Sequence, residues 1–263
     1  MSKTVLITGS TDGIGLAAAK LLSQQGHSLL LHGRSAAKLE AATADVGKTA
    51  GGYIADLSSL AEVRRLAAEI RARRQSLDVL INNAGVLKAP KVKTADGLDI
   101  RFLVNTLAPL LLTRLLLPLL PSDGRIINLS SAAQAPVDLA ALAGRKPLDD
   151  MAAYAQSKLA ITIWTQELAK TLPQGPAVIA VNPGSLLASK MVKAGFGIGG
   201  NDLSIGAKIL CEAAVGSSFA GASGRYFDND AGRFAAPHPA ASDLVHVQAV
   251  MAGIDAALGQ AST

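Results

Sequence analysis

The stretch TVLITGSTDGIGLAAAKLLSQQG, residues 4–26, decides the fold. It begins with an apolar run typical of a buried strand and continues with the apolar spacing of a helix that ends at a glycine. Three glycines, Gly9, Gly13 and Gly15, lie in the turn between strand and helix. The turn predicts a βα unit, because glycine allows both a tight turn and the close approach of another group to the backbone.

The same turn is a candidate anion site. A helix N-terminus offers free N–H groups and the positive end of the helix dipole to a pyrophosphate. A glycine-rich turn between a strand and a helix is also the context in which dinucleotides bind. The spacing here is G-x-x-x-G-x-G rather than the older G-x-G-x-x-G, so a tight turn without a ligand stays open as the alternative.

Strand and helix patterns alternate along the rest of the chain. The apolar runs are mostly continuous, which is typical of parallel strands buried on both faces under helices. Right-handed crossovers then predict an α/β fold with a single domain over residues 1–263, a Rossmann-type doubly wound parallel sheet flanked by helices. Further strands are expected at residues 28–34, 51–57, 77–85, 124–131, 177–184 and near 224–228, and further helices at 36–47, 59–75, 98–120, 151–172 and near 203–215 and 241–258.

Composition limits the classes of partner. The net charge is +5 with a pI near 9.4, and the densest basic cluster is VRRLAAEIRARR, residues 63–74. Its apolar positions have helical spacing, so we expect the arginines to lie on a solvated helix face rather than on a nucleic acid, with an anionic partner as the alternative. The four histidines are scattered and there is one cysteine, so we expect no metal site.

Two further features bear on location. The most apolar run, LAPLLLTRLLLPLLP, contains Arg114 and three prolines, and we expect a buried helix rather than a membrane span. The start, MSKTVLITGS, enters a strand without a secretory signal, and the lone Cys211 excludes an intramolecular disulfide. Both observations fit the reducing cytoplasm.

The end of the second predicted strand bears on cofactor choice. In dinucleotide folds this position usually carries a carboxylate for the ribose 2′-hydroxyl of NAD. Here the sequence is LLLHGRS, with no carboxylate, and Arg34 lies where the 2′-phosphate of NADP would be. A guanidinium fits a phosphate well, so we expect NADP(H) to be preferred over NAD(H). A surface arginine after a glycine turn is the alternative.

Two more strand ends fit the same cleft. Asp56 follows the third strand, where an adenine edge would lie, although it could instead cap a helix, as Ser58 or Ser59 could. The run NNAG, residues 82–85, ends the fourth strand. Its small residues permit close approach to a cofactor, while its asparagines could equally tie neighbouring loops together.

A tyrosine and a lysine stand one helical turn apart in AAYAQSKLA. On a helix, Tyr154 and Lys158 share a face. A nearby ammonium favours the phenolate, so this spacing predicts a phenol pKa below its ordinary value near ~10. Such a tyrosine is suited to general acid–base work, and a solvent-facing helix pair is the alternative.

Together these motifs resemble the short-chain dehydrogenase/reductase family. The matching pieces occur in family order over residues 3–184. They are TGSTDGIG at 8–15, NNAG at 82–85, Asn105, the serine after IINLS, Tyr154-x-x-x-Lys158 and NPG at 182–184. The resemblance implies an oxidoreductase that transfers a hydride between NADP(H) and a small-molecule carbonyl or alcohol, with a cofactor half up to about residue 130 and a catalytic and substrate half from about 131 to 263.

The resemblance also implies residue roles. Tyr154 is the general acid or base, and Lys158 holds the nicotinamide ribose. Ser131, rather than Ser130, binds the substrate oxygen, and Asn105 interrupts its helix and holds a water near Lys158. The implied cofactor-binding residues are Gly9, Ser10, Thr11, Asp12, Gly13, Ile14, Gly15, Arg34, Asp56, Leu57, Asn83, Ala84, Gly85, Tyr154, Lys158, Pro183 and Gly184.

The chain departs from the family pattern at two places. Ser131 and Tyr154 are 23 positions apart, a longer separation that resembles relatives acting on retinoid- or steroid-like carbonyls. After NPG the family often has a threonine that touches the nicotinamide, and here only Ser185 or Ser189 is available. Epimerase or dehydratase chemistry and a non-enzymatic NADP sensor stay open as alternatives.

The helix that carries Tyr154 suggests an assembly. If Tyr154 faces the cleft, Leu159 and Ile163 lie on the opposite face, which would meet water in a monomer. The preceding helix is apolar nearly all round, and two such helices side by side predict a four-helix interface. We therefore expect a homodimer or homotetramer. The longer segment between Ser131 and Tyr154 could instead cover this face and keep the chain monomeric.

Overall fold

A single eight-stranded sheet runs through the part of the chain that the computed structural model describes, residues 2–188, 197 and 199–260. The strands are β1 Thr4–Ile7, β2 Ser28–Gly33, β3 Ala50–Ile54, β4 Val79–Asn82, β5 Arg125–Leu129, β6 Ala177–Asn182, β7 Tyr226–Asp228 and β8 Arg233–Ala235. Their order is β3-β2-β1-β4-β5-β6-β7-β8, and every neighbouring pair is parallel except β7 and β8.

Helices cover both faces of this sheet. They are α1 Gly13–Gln24, α2 Ala36–Val46, α3 Leu60–Arg73, α4 Ile100–Phe102, α5 Ala108–Leu116, α6 Leu139–Leu142, α7 Asp150–Thr171, α8 Leu203–Val215 and α9 Leu244–Gln260. One apolar cluster joins the sheet to α1, α2 and α8, and a second joins it to α3, α5, α7 and α9. Successive strand residues such as Val5 and Leu6 belong to opposite clusters, as side-chain alternation requires. The predicted doubly wound fold is confirmed.

Three local features differ from the sequence prediction. The helix expected over residues 98–120 is divided into α4, a π-helical turn at Leu103–Leu107, α5 and a short 3-10 turn at Leu117–Leu119. The antiparallel edge strand β8 and the four-residue helix α6 were not predicted. Both are too short to show a hydrophobic period in the sequence.

The basic helix α3 has the orientation that its pattern predicts. Its apolar residues Val63, Leu66 and Ile70 are completely buried. Its arginines lie on the other face, where Arg65 pairs with Glu62 and Glu69, and Arg73 also pairs with Glu69. These acidic partners reduce the positive charge that a nucleic acid would meet.

Residues 100–119 are long and apolar enough to cross a membrane by length and composition alone. In the fold, 72% of this segment is buried, where it packs in the core with α3 and α7. Arg101, near its start, is completely buried in an ion pair with Asp99 and Asp150. This packing is typical of a helix in the core of a fold.

The expectation that Leu159 and Ile163 would face water in a monomer is wrong. Both are completely buried, because α9 folds back over α7 and the π-helical turn that precedes α5 and adds Val250 and Ile254 to the same core cluster. Arg114 on α5 also pairs with an aspartate of α9 at 2.8 Å. The face on which the dimer was expected to form is therefore covered within the chain.

Candidate functional site

A cleft of about 790 Å³ opens at the carboxyl ends of the parallel strands. This is the edge at which ligands bind in open α/β sheets. The cleft brings together most of the residues named from the sequence: Gly9, Thr11, Asp12, Gly13, Ile14, Gly15, Arg34, Asp56, Leu57, Asn83, Ala84, Gly85, Tyr154, Lys158 and Pro183. Four others, Ser10, Asn105, Ser131 and Gly184, do not line it.

The glycine turn at one end of the cleft is tightly packed. Gly9 has φ +63°, and a Cβ there would lie 2.9 Å from the Cα of Ala84. A Cβ on Gly15 would lie 2.6 Å from the carbonyl oxygen of Gly9. Side chains are excluded at both positions, which leaves the backbone at the start of α1 open to a bound pyrophosphate.

Two side chains brace this turn from neighbouring strands. The amide of Gly9 donates to Nδ1 of His32 at 3.1 Å, and burial lowers the pKa of His32 to about 4. The amide nitrogen of Asn83 donates to the carbonyls of Thr8 and Gly9 at 2.8 and 2.9 Å. Asn83 thus ties the loops together at the cleft, as one of the two sequence interpretations of NNAG proposed.

Ser10 is placed differently from the cofactor contact that the resemblance implied. It is completely buried, and its hydroxyl donates to the carbonyl of Ile7 at 2.9 Å. The same oxygen accepts from the amide of His32 at 2.9 Å. The side chain therefore joins β1 to β2 and is not available to a ligand.

The far end of the cleft carries two cations. Arg34 and Lys38 both line it and both are exposed, with Ser35 between them at the start of α2. Ser35 caps this helix by accepting from the amide of Lys38 at 3.4 Å. Sequence reasoning missed Lys38, which lies in the first turn of α2 and belongs to no motif.

Asp56 borders the cleft without capping α3. Its carboxylate accepts from the amide of Ser58 at 2.9 Å, while Ser59 is the residue that caps the helix. The cleft walls also contain residues that the sequence analysis did not assign to the cofactor: His32, Gly33, Ser35, Lys38, Ser58, Val86, Leu87, Lys88, Ile100, Val104, Leu129 and Ser130.

Tyr154 and Lys158 lie on one face of α7. The ammonium of Lys158 is 5.5 Å from the Tyr154 ring centroid and donates to the carbonyl of Leu129 at 2.7 Å. Burial lowers the pKa of Lys158 to about 8. The depression of the Tyr154 pKa that was expected from Lys158 is not found, because burial raises the pKa of the phenol by more than the nearby Ser131 lowers it.

The two adjacent serines point in opposite directions. The hydroxyl of Ser131 lies near enough to the phenol of Tyr154 to lower its pKa, and it accepts from the backbone amide of Ala133 at 3.1 Å. Ser130 borders the cleft, but its hydroxyl donates to the carbonyl of Lys158 at 3.0 Å and shares a 2.7 Å bond with Thr162. Of the pair, Ser131 is therefore the serine beside the tyrosine.

Asn105 lies in the π-helical turn, where the sequence placed a helix interruption. Its amide nitrogen donates to the carbonyl of Val86 and to the hydroxyl of Ser157, each at 2.9 Å. Its oxygen accepts from the amide of Val86 at 2.8 Å. Ser157 in turn donates to the carbonyl of Tyr154, so Asn105 joins the loop after β4 to the helix that carries the tyrosine.

The loop after β6 is held by two aspartates, Asp228 and Asp230, of the hairpin formed by β7 and β8. The amide and hydroxyl of Ser185 both donate to Asp230, at 2.8 and 2.6 Å. Asn182 donates to Asp228 and Asp230, each at 2.9 Å. Ser185 is thus engaged with the protein, and the alternative candidate Ser189 lies outside the described residues.

No cluster of three or more histidine, cysteine, aspartate or glutamate side chains suited to a metal occurs among the residues that the structure describes. The features of the cleft are instead those of a dinucleotide site: a backbone cradle, a pair of cations and a buried lysine beside a tyrosine. A nicotinamide cofactor fits this set of groups.

Known proteins resemble the chain in sequence and in structure. A family model described as short chain dehydrogenase matches residues 3–196. Human retinol dehydrogenase 13 is 37% identical over 275 residues, covering 92% of this chain and 80% of that protein. Mouse polyprenol dehydrogenase is 36% identical over 183 residues, covering 65% of this chain and 55% of its own length.

Two solved structures extend the likeness to the fold. An uncharacterised protein from Mycobacterium paratuberculosis superposes with a TM-score of 0.79 at 28% identity, covering 98% of this chain and 93% of that one. A short chain dehydrogenase from Shigella flexneri, solved with NADP, gives a TM-score of 0.69 at 28% identity, covering 87% of this chain and 97% of that one.

Proposed function

This chain belongs to the short-chain dehydrogenase/reductase family, and we propose that it is an NADP(H)-preferring carbonyl reductase or alcohol dehydrogenase for apolar substrates. Family membership makes it an oxidoreductase that transfers a hydride to or from NAD(P). The observation that carries the proposal is that Tyr154 and the buried Lys158, 5.5 Å from its ring centroid, line the same cleft as the glycine turn, with Ser131 beside the phenol.

The roles of the catalytic residues follow from this arrangement. A bound nicotinamide cofactor supplies or accepts the hydride. In the direction of reduction, Tyr154 donates its proton to the substrate oxygen, and the hydroxyl of Ser131 hydrogen-bonds the same oxygen as negative charge develops on it.

Lys158 and Asn105 support the tyrosine. The ammonium of Lys158 lies within reach of both the tyrosine ring and the cleft, where we propose that it holds the nicotinamide ribose. The side-chain amide of Asn105 has its donors engaged by Val86 and Ser157, so we propose that it acts by holding these two segments.

The preference for NADP(H) rests on charge. Arg34 and Lys38 stand together at the adenosine end of the cleft, and the end of β2 carries no carboxylate to bind a free ribose hydroxyl. Two cations form strong charge-assisted hydrogen bonds with the 2′-phosphate of NADP(H), and their bonds with the uncharged 2′-hydroxyl of NAD(H) are much weaker.

The proposed substrate is a long apolar alcohol or aldehyde. Two similar proteins, retinol dehydrogenase 13 and polyprenol dehydrogenase, are named after long apolar alcohols. Around the catalytic helix this chain leaves large apolar side chains exposed: Met151 lies one turn before Tyr154, Leu139 lies in the segment between Ser131 and Tyr154, and Leu186 follows Ser185. Epimerase, dehydratase and sensor functions are less well supported, because the matching family model and the similar proteins named above are dehydrogenases.

We propose that the chain does not form the four-helix dimer, since α9 already covers the helices concerned. We also propose that the protein is located in the cytoplasm.

We further propose that the chain divides near residue 130 into a cofactor half and a catalytic half. The lining of the cleft supports this division, because the glycine turn and the two cations come from the first half and the tyrosine and lysine from the second.

A turnover assay tests the proposal. Purified protein is mixed with NADPH or NADH and with retinal, decanal or phenanthrenequinone, and the loss of reduced cofactor is followed, with Tyr154→Phe as the blank. We expect turnover of at least one aldehyde, faster with NADPH. Absence of turnover with every pair contradicts the proposed function, and faster turnover with NADH contradicts the cofactor preference.

A further inference from the structure

The backbone of Ser131 lies in an irregular segment, and side chains fix its position. The sheet ladder ends one residue earlier, where the amide of Ser130 donates to the carbonyl of Val181 at 2.8 Å. The carbonyl of Ser131 accepts instead from the phenol of Tyr226 at 3.1 Å and from the amide nitrogen of Gln134 at 2.9 Å.

Tyr226 reaches this carbonyl from a distant part of the chain. It is the first residue of β7, 95 positions away, and only 4% of its surface is exposed. Pairing of Tyr226 with Ala180 in β6 fixes its backbone. The phenol therefore sits on a rigid strand, while its target sits on a loop.

The phenol is suited to donate at any working pH. Burial raises the pKa of Tyr226, as do the nearby carboxylates of Asp228 and Asp230, against a smaller opposing effect of the neighbouring Gln134. A protonated phenol has one proton to give, and the carbonyl of Ser131 receives it.

Gln134 connects the same carbonyl to the C-terminal part of the chain. Its amide oxygen accepts from the backbone amide of His238 at 2.9 Å, while its amide nitrogen serves Ser131. The two donors to Ser131 are therefore anchored at separate places, one in the sheet and one before α9.

We propose that Tyr226 is a positioning residue for Ser131, holding its carbonyl so that its hydroxyl meets the phenol of Tyr154 and the substrate oxygen. The inference rests on the proposed function. It assigns a role in the reaction to a residue outside the motif over residues 3–184, in the part of the chain where the family pattern is weakest. Gln134 is the second anchor of the same carbonyl.

The test is a double-mutant cycle in the full-length chain, with NADPH and whichever of retinal, decanal and phenanthrenequinone is reduced fastest. Tyr226→Phe removes the donor and keeps the ring. We expect kcat to fall about threefold to tenfold, the effect of one hydrogen bond, with the Kd for NADPH unchanged. In a Ser131→Ala background the same substitution should change kcat by less than about 1.5-fold, because the group that it positions is gone.

Tyr53→Phe is the matched control. Tyr53 is equally buried but lies on β3, at the other edge of the sheet, and we expect its kcat to equal that of the wild type. If Tyr226→Phe does not fold, as judged by circular dichroism, Gln134→Ala takes its place in the cycle with the same expected result.

The outcomes separate the two proposals. An equal loss of kcat in the wild-type and Ser131→Ala backgrounds shows a general structural effect and overturns the positioning role, as does an unchanged kcat for both Tyr226→Phe and Gln134→Ala. If Ser131→Ala itself keeps wild-type kcat, or no carbonyl compound is reduced, the result contradicts the proposed function. The inference about Tyr226 is then contradicted as well, because it depends on that function.

Discussion

His32 accepts a hydrogen bond from the backbone amide of Gly9, so a buried imidazole on β2 holds the glycine turn of the cleft. The bond requires a neutral ring, because a protonated imidazole has no acceptor at Nδ1. The other ring nitrogen lies 3.1 Å from the carbonyl of Ala55, which fixes the ring between β1 and β3.

This bond predicts sensitivity to acid. Burial lowers the pKa of His32 from 6.5 to about 4, so the unfolded chain takes up a proton at a pH where the folded chain does not. Stability is then full above pH ~6.5 and falls as the pH approaches ~4, by about 2 kcal/mol between pH 7 and pH 5. Urea unfolding of the wild type and of His32→Gln at both pH values measures it, and equal losses in the two proteins contradict the assignment.

Arg34→Ala should change cofactor preference. We expect the binding of NADPH to weaken by about 1.5–3 kcal/mol, the range for a hydrogen bond to a charged group, while NADH binding barely changes. Fluorescence titration with both cofactors measures the two affinities. Arg71→Ala, on the exposed face of α3, is the control for a change in net charge. Equal losses for NADPH and NADH mean that Arg34 does not contact a 2′-phosphate.

Tyr154→Phe should separate turnover from binding. We expect kcat to fall about 10²-fold or more, because the proton donor is lost, while NADPH still binds. Lys158→Ala should damage both turnover and cofactor binding, since its ammonium borders the cleft. A Tyr154→Phe protein with more than a tenth of wild-type turnover contradicts the acid–base role.

Substitutions of the two adjacent serines should affect different properties, kcat for Ser131 and stability for Ser130. Ser131→Ala removes the hydroxyl beside Tyr154 and should lower kcat with little change in stability. Ser130→Ala removes bonds to Lys158 and Thr162 inside the core and should lower the free energy of unfolding by about 1 kcal/mol, with a smaller effect on kcat. A larger loss of kcat in Ser130→Ala than in Ser131→Ala reverses the assignment.

The chain should run as a monomer. Light scattering at micromolar concentration should give the mass of one chain, 26.8 kDa, and twice that mass contradicts our proposal. Ile163→Glu should then unfold the protein rather than split a dimer. Its side chain is completely buried, and an unpaired charge there destabilises the fold by more than ~3 kcal/mol.

The central sheet could be predicted from the sequence because its signal is local. The strands that contain Leu6, Leu30 and Ile126 are buried on both faces and read as continuous apolar runs bounded by turns. The motif residues also lie at the ends of these strands. A correct prediction of the strands therefore also predicted where most of the cleft residues lie. The helix interruption at Asn105 came from the family pattern.

Features that depend on contacts distant in sequence could not be predicted in this way. The helical period placed Leu159 and Ile163 opposite Tyr154, but nothing local shows that α9 returns to cover them. Likewise, the spacing of Tyr154 and Lys158 suggested a lowered phenol pKa, whereas the burial that raises it comes from the surrounding fold. The contact of Tyr226 with Ser131 also joins residues that no short motif links.

The return of α9 over α7 has a consequence for synthesis. The apolar sides of α5 and α7 stay uncovered on the ribosome until Val250 and Ile254 have been translated, because these residues complete that side of the core. During that interval the nascent chain exposes surface that is prone to aggregation. Chaperone binding before α9 has been synthesised is therefore expected, because the core cluster is incomplete until then.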